Sequence, residues 1–266
     1  MKYSNPFVYT TAALALAMSA SLSQAQLTHR YSFNSDASDS VGGANGTLMG
    51  NASVSVGQLT LDGTAGSIVA LDSGAIGISS YSSLTVEAWT TGFQNTGFVT
   101  LLGFYGESPS NPGNVPANYV ILQPYRGDNV SRFSISLSTA SDPWAGETGA
   151  NGPEINDGGE HYYAGVITPT SISLYVDGVL AQTVANSQLL SGVSDQFVSI
   201  GTAYGQDPLY KGQVNEIRIY GNALPDFAIA QNYANGPDGA PVVPEPTTLA
   251  LAGFGLLGML MARRRR

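Results

Sequence analysis

Along most of the chain apolar and polar residues alternate with a period of two. Leu84, Val86 and Ala88 fall on one face of an extended segment, with Thr85, Glu87 and Trp89 on the other. Ser171 to Val176 repeats the pattern through Ile172, Leu174 and Val176. Asp177-Gly178 then supplies a type I′ turn signal, so Val179 to Val184 is expected to return as the second arm of a hairpin. Leu27 to Phe33 reads as an early strand and Gln213 to Tyr220 as a late one. Beyond it, Pro225 suits the first turn of a short helix over Asp226 to Tyr233. Many short strands, regular turns and one late helix predict an all-β fold, a two-sheet antiparallel sandwich.

The two ends break this alternation. Met1 and Lys2 precede a short apolar run, Thr10 to Ala20, and Ser23-Gln24-Ala25 has the small-x-small form of a signal-peptidase site. Residues 1–25 are therefore expected to be a signal peptide, with the exported chain starting at Gln26. At the other end, residues 247–262 contain neither charge nor proline. As a transmembrane helix they would span about 24 Å, slightly short of a hydrocarbon core of roughly 30 Å. Snorkelling arginines and local thinning make up the difference. Arg263, Arg264, Arg265 and Arg266 then form a cytoplasmic stop by the positive-inside rule. Upstream, Pro244 and Pro246 keep Val243-Pro244-Glu245-Pro246 extended, because each proline lacks an amide donor and disfavours helix in its predecessor. Between the ends lie the body, residues 26–236, and a turn-rich linker, residues 237–242.

Charge narrows the function classes. Charged residues make up 11% of the chain, against roughly 25% in an average soluble protein. Between Gln26 and Val242 there are 5 basic and 18 acidic residues, a net of -13. A surface that binds nucleic acid needs clustered Lys and Arg to release counterions, so nucleic acid is excluded as a partner. Cysteine is absent, which removes disulfides, thiolate metal sites and cysteine nucleophiles together.

Catalytic chemistry finds little support. Glu154, Asp157 and Glu160 lie three residues apart around two glycines, in a turn rather than on one strand face. A retaining glycosidase needs its two carboxyl groups about 5 to 5.5 Å apart. His29 and His161 are the only histidines, and neither lies in a nucleophile-elbow context. No catalytic residue is assigned, and an enzyme is not expected. For binding, a sugar ring stacks on an exposed aromatic while amides and carboxylates bond its hydroxyls. Trp144, in a loop rich in breakers, is either such a platform or a plug for one end of the sandwich. Tyr105, Tyr125, Tyr204 and Tyr210 are placed at strand ends or loops.

The tail, with Val243-Pro244-Glu245-Pro246, an apolar helix and an arginine cluster in that order, resembles the PEP-CTERM sorting signal of Gram-negative bacteria. That resemblance implies an exosortase-type membrane enzyme as partner, with cleavage or transfer near the motif. A permanent tail anchor of the same topology is the alternative. The body resembles a LamG-like jelly roll of the concanavalin A-like lectin/glucanase class. The likeness is carried by His29 to Phe33 with Asp39 to Leu48, by Leu84 to Trp89, by Asp157 to Val166 before the Leu174 to Gly178 hairpin, and by Gly212 to Tyr220. Glu160 departs from it, where such domains often carry tryptophan. Relatives often hold a structural calcium between an Asx-rich loop and an acidic residue of the closing strand. Calcium chemistry wants six to eight oxygens, which points to Asp39, Asn45 and Glu216. The alternative is an ordinary Asx turn, with Glu216 paired to an arginine.

Together these readings imply an exported cell-surface or matrix recognition module, possessing affinity for extracellular polysaccharide or glycoprotein. It would be anchored in the inner membrane before processing. A glycan hydrolase on the same fold and a purely structural matrix protein are the alternatives.

Overall fold

A computed structural model describes residues 26–93, 96–108, 111–138, 142–202 and 207–242. The expected signal peptide, the sorting motif Val243 to Pro246, the helix expected over 247–262, the expected arginine stop and Tyr204 lie outside the described residues. Among the described residues no helix is long and apolar enough to cross a membrane.

Eight strands form one antiparallel sheet. Its order is β13 (Val179–Ala185), β12 (Ser171–Val176), β11 (His161–Ile167), β6 (Leu84–Gly92), β15 (Lys211–Tyr220), β4 (Gln58–Asp62) and β3 (Ser53–Ser55). β1 (Leu27–Tyr31) pairs with the far end of β15. Seven strands form the second sheet: β10 (Thr148–Pro153), β9 (Val130–Ser136), β8 (Asn111–Gln123), β7 (Leu102–Ser108), β14 (Phe197–Ile200), β5 (Ile68–Leu71) and β2 (Gly46–Met49). One short helix, α1 (Ser73–Ile76), follows β5 and is capped by the Asp72 side chain, while the longer α2 (Asp226–Asn235) follows β15.

The core between the sheets is built by the expected alternation. Leu84, Val86 and Ala88 of β6 meet Phe133 and Ile135 of β9 in one apolar cluster. The sheets approach closely at Gly165, where a Cβ would lie 2.3 Å from the Phe133 ring. The β12–β13 hairpin forms as the turn chemistry requires, with Asp177 at φ 49° and Gly178 at φ 76°. Pro225 is the N-cap of α2 rather than a member of its first turn, and the helix runs two residues past Tyr233. Tyr125 and Tyr210, expected at strand ends or loops, are core residues with 4% and 0% exposure.

One irregularity decides what the outer face of the eight-stranded sheet contains. Pairing of β15 with β6 shifts between Val214 and Glu216, leaving Asn215 as a bulge. A one-residue slip reverses every side chain beyond it. Val214 faces the core before the bulge, and Ile217 and Ile219 face it afterwards. Glu216, Arg218 and Tyr220 are thereby turned outward beside Trp89, Glu87 and Thr85, their register partners on β6.

Candidate functional site

On that outer face α2 and the segment after it cover a row of charged and aromatic groups. Glu87, Glu216 and Arg218 are each fully buried. The Arg218 guanidinium pairs with Glu216, lies 3.7 Å from Glu87 Oε2 and sits 4.6 Å over the Trp89 ring. Arg30 of β1 grips Glu216 from the other side, through Nε to Oε1 and Nη2 to Oε2, both at 2.9 Å. Glu87 accepts from Tyr162 Oη at 2.6 Å, Asn232 Nδ2 at 2.8 Å and Tyr220 Oη at 2.9 Å. Burial pushes the Glu87 carboxyl up, against the pull of these donors and of Arg218. For Arg218 burial opposes the charge, and Glu216 and Glu87 more than offset it, so its pKa lies above the ordinary value.

The segment that follows α2 is sewn to this row. Arg218 Nη2 donates to Gly239 O at 2.9 Å and Gly236 O at 3.4 Å, and Asp238 N donates to Glu216 Oε2 at 2.9 Å. Asn34 Nδ2 donates to Asp238 Oδ1 at 2.8 Å, and Val242 N donates to Asn232 Oδ1 at 2.6 Å. The turn formers at 237–242 thus pack against the sandwich as a strap. Every donor and acceptor in this row is spent inside the protein except Arg218 Nη1 and Trp89 Nε1, which have no hydrogen-bond partner among the described residues. The row is a structural brace.

The residues expected to hold calcium are divided. Asp39 and Asn45 do meet, since Asn45 Oδ1 accepts from Asp39 N at 2.9 Å. Asp39 Oδ1 accepts from the backbone N–H groups of Arg30, Val41 and Gly42, while Oδ2 accepts from Ala44 N and contacts His29 Nδ1 at 2.7 Å. Burial disfavours this carboxylate, yet the donors together hold its pKa below the ordinary value. Glu216 is instead bound by Arg30 and Arg218. These contacts are those of an Asx turn and of an arginine pair, and among the described residues no three His, Cys, Asp or Glu side chains gather. The acids around Gly158 also go to separate partners. Asp157 Oδ1 contacts His161 Nε2 at 3.0 Å, and Glu160 Oε2 accepts from Asn215 Nδ2 at 2.9 Å. Glu154 has one buried carboxylate oxygen without a partner.

The opposite surface of the molecule is the outer face of the seven-stranded sheet. Val120, Leu122, Phe133, Ile135 and Ala150 point into the core, so by alternation Tyr119, Ile121, Arg132, Ser134 and Asn151 point away from it. Tyr119 and Ile121 form their own small cluster with Tyr105 against it. The Tyr105 ring stacks on Phe197 at 5.3 Å between centroids, and Phe197 is 36% exposed. Beside this aromatic ledge, Tyr119 Oη donates to Glu147 Oε2 at 2.6 Å, Arg132 Nε donates to Glu147 Oε1, and Arg132 Nη1 donates to Asn151 Oδ1 at 2.7 Å. Burial, then the neighbouring Glu147 charge, pushes the Tyr119 phenol up, so it remains a donor.

Trp144 stands at the rim of this face on a 3-10 turn, Pro143–Gly146, between β9 and β10. It is 56% exposed and no part of the core, which removes the plug alternative. The turn is held from below by Gln188, whose Nε2 donates to Gly146 O at 3.2 Å and Thr148 Oγ1 at 3.1 Å while its Oε1 accepts from Leu137 N at 2.7 Å. The Trp144 ring is thus exposed on a turn whose Trp144 O accepts from Glu147 N at 3.1 Å. The sequence pointed to Trp144 and Tyr105. Arg132, Glu147 and Phe197 went unmarked, and their only signal was an arginine at an outward strand position.

Comparisons with known proteins follow the same lines. A family model described as the concanavalin A-like lectin/glucanases superfamily matches residues 62–230. A second, the PEP-CTERM protein-sorting motif, matches residues 242–266. No curated protein matches the chain. Among solved structures, domain 4 of AbnA, a GH43 extracellular arabinanase from Geobacillus stearothermophilus in complex with arabinotriose, is 24% identical with a TM-score of 0.61. That match covers 78% of this chain and 98% of the other. The receptor binding domain of a botulinum neurotoxin C/D mosaic serotype is 12% identical with a TM-score of 0.59, covering 79% of this chain and 51% of that one. The binding domain of Paraclostridial Mosquitocidal Protein 1 is 11% identical with a TM-score of 0.61, covering 78% and 52%. The chain thus spans about half the length of these toxin binding domains, and at such identities the likeness is one of fold.

Proposed function

The chain belongs to the concanavalin A-like lectin/glucanases superfamily and carries a PEP-CTERM sorting motif, and from that premise we propose that it is an exported module that binds a neutral oligosaccharide. The outer face of the seven-stranded sheet is the binding surface. The observation that carries this reading is Trp144, half-exposed on a turn that Gln188 bonds at Gly146 and that leads directly into Glu147 of the Arg132–Glu147–Asn151 row. The ring offers an apolar plane for one face of a sugar, and the polar row offers donors and acceptors for its hydroxyls. Glu147 is held by Arg132 and Tyr119, which suits it to accept from a hydroxyl rather than to move a proton. Through the tail the module engages an exosortase-type enzyme, is anchored in the inner membrane before processing, and then joins the cell surface or its polysaccharide matrix.

The arabinanase domain, described with arabinotriose, suggests the first ligand class to try, short pentose oligomers, followed by a broad glycan array. Binding by the wild-type protein that weakens about tenfold in Trp144→Ala, the loss expected of one aromatic contact, supports the assignment. The same variant should melt with the wild type, since its side chain lies outside the core. An array without a single bound glycan favours a purely structural matrix protein. Release of reducing ends that Glu154→Ala or Glu160→Ala abolishes makes the protein a hydrolase instead.

A further inference from the structure

The strap over residues 236–242 ends where the sorting motif begins. Val242 is the first residue of the matched motif. Its amide is bonded at 2.6 Å to Asn232, and its side chain packs against the apolar cluster under α2. Asn232 is itself fully buried and donates to Glu87 and Tyr220. The strap is pinned further by Arg218 to Gly239 O and Gly236 O, Glu216 to Asp238 N, Asn34 to Asp238 Oδ1 and Asn235 to Ala240 O. A folded body therefore extends to the threshold of the motif, with no slack chain between them.

We infer that this strap is a latch on substrate presentation: the membrane enzyme takes up the sorting motif only when residues 236–242 lift from the sandwich. The inference rests on the reading of residues 242–266 as a processed motif. A membrane-embedded cleft must hold extended chain on both sides of the bond it attacks. With the strap docked, only Val243 to Pro246 separate Val242 from the apolar run at Thr247, a reach of at most about 18 Å. Lifting the strap frees seven more residues and adds at most about 25 Å. The fold is suited to such an opening. Asp238 and Ala240 are exposed, whereas the buried row beneath keeps Arg30 paired with Glu216, and Arg218 with Glu216 and Glu87, when the strap leaves. Segments with few buried contacts open locally without global unfolding.

Two variants test the latch without touching the buried row. In Gly239→Ala the new Cβ would lie 2.6 Å from the Asn235 carbonyl oxygen, so the strap must shift. A nine-residue Gly-Ser insertion between Val242 and Val243 leaves the strap docked but supplies slack. Loss of the C-terminal segment from the full chain is followed by pulse-chase and intact mass in its native cell. Both variants should be processed about tenfold faster than wild type, the effect of removing one to two hydrogen bonds' worth of docking, and their combination no faster than the insertion alone. Equal rates for all chains overturn the latch and leave the processing reading standing. Retention of Arg266 in every chain overturns the processing reading, and the latch with it.

Discussion

Replacing Arg218 with methionine isolates the energetics of the buried row. The side chain is fully buried, and methionine keeps its unbranched apolar stem while removing the guanidinium that lies over Trp89. What changes is charge, together with the hydrogen bonds that Arg218 gives to Glu216, Gly236 O and Gly239 O. Glu216 keeps its bidentate contact with Arg30, but Glu87 loses the one cation within 4 Å of it among the described residues. Breaking a buried pair by removing one partner costs about 3–5 kcal/mol, because a charge is left uncompensated. At roughly 2–4 °C per kcal/mol for a body of this size, the melting temperature should fall by about 10 °C. Arg218→Met combined with Glu87→Gln removes the orphaned charge and should recover more than half of that loss. The pH dependence gives an independent check. Burial already places the folded Glu87 pKa above its unfolded value. Its contribution is therefore fully present below the unfolded value and is lost as pH rises through the folded one. Arg218→Met raises the folded value further, so its deficit should be smaller near pH 4 than near pH 8. Thermal unfolding followed by far-UV circular dichroism reads all three quantities. A single variant within about 1 kcal/mol of wild type, or a double variant no more stable than the single, would refute the argument.

Two further outcomes are expected. His161 contacts Asp157 at 3.0 Å and Asp177 at 2.8 Å, and although burial disfavours its charge, the two aspartates raise its pKa above the ordinary value. The stability it contributes should be complete below about pH 6.5 and be lost as pH rises through the raised value; a melting curve of His161→Gln with the same pH slope as wild type would contradict this. Calcium or its chelation should leave the melting temperature unchanged, because the Asp39 and Glu216 oxygens accept from N–H donors, and a calcium-dependent rise would decide for the metal assignment instead.

What was legible in the sequence was what local chemistry decides. Asp177-Gly178 demanded positive φ at both positions, and the hairpin around them followed. Leu84 to Trp89 declared a strand with two different faces, although nothing local said that Glu87 on the second face would be buried under α2. The Asn215 bulge left a trace: Val214 and Ile217 are three residues apart in a strand whose apolar positions should be two apart. That trace was readable, and with it the outward turn of Glu216 and Arg218. The strap was hidden by its composition. Proline, glycine and aspartate at 237–241 describe turns equally well whether the turns are free or bonded to carboxylates and carbonyls distant in sequence. Trp144 showed the opposite limit, since its residue type signals affinity but its exposure depends on how its turn is seated, and one tie of that turn is Gln188, 44 positions later.

The place of β15 in its sheet sets the order in which the protein must assemble. Its neighbours are β6 on one side, with β4 and β1 sharing the other, so Leu27 waits for Tyr220 and Leu59 for Val214. Contacts of such sequence separation form slowly, because loop closure must precede the reward. The first strand made is among the last to find a partner. A chain delivered from its N-terminus cannot complete the eight-stranded sheet until residues 211–220 have arrived, and the strap, which binds residues of that same strand, can settle only afterwards. A chain built this way closes late, when the strand over residues 211–220 joins the strands made before it.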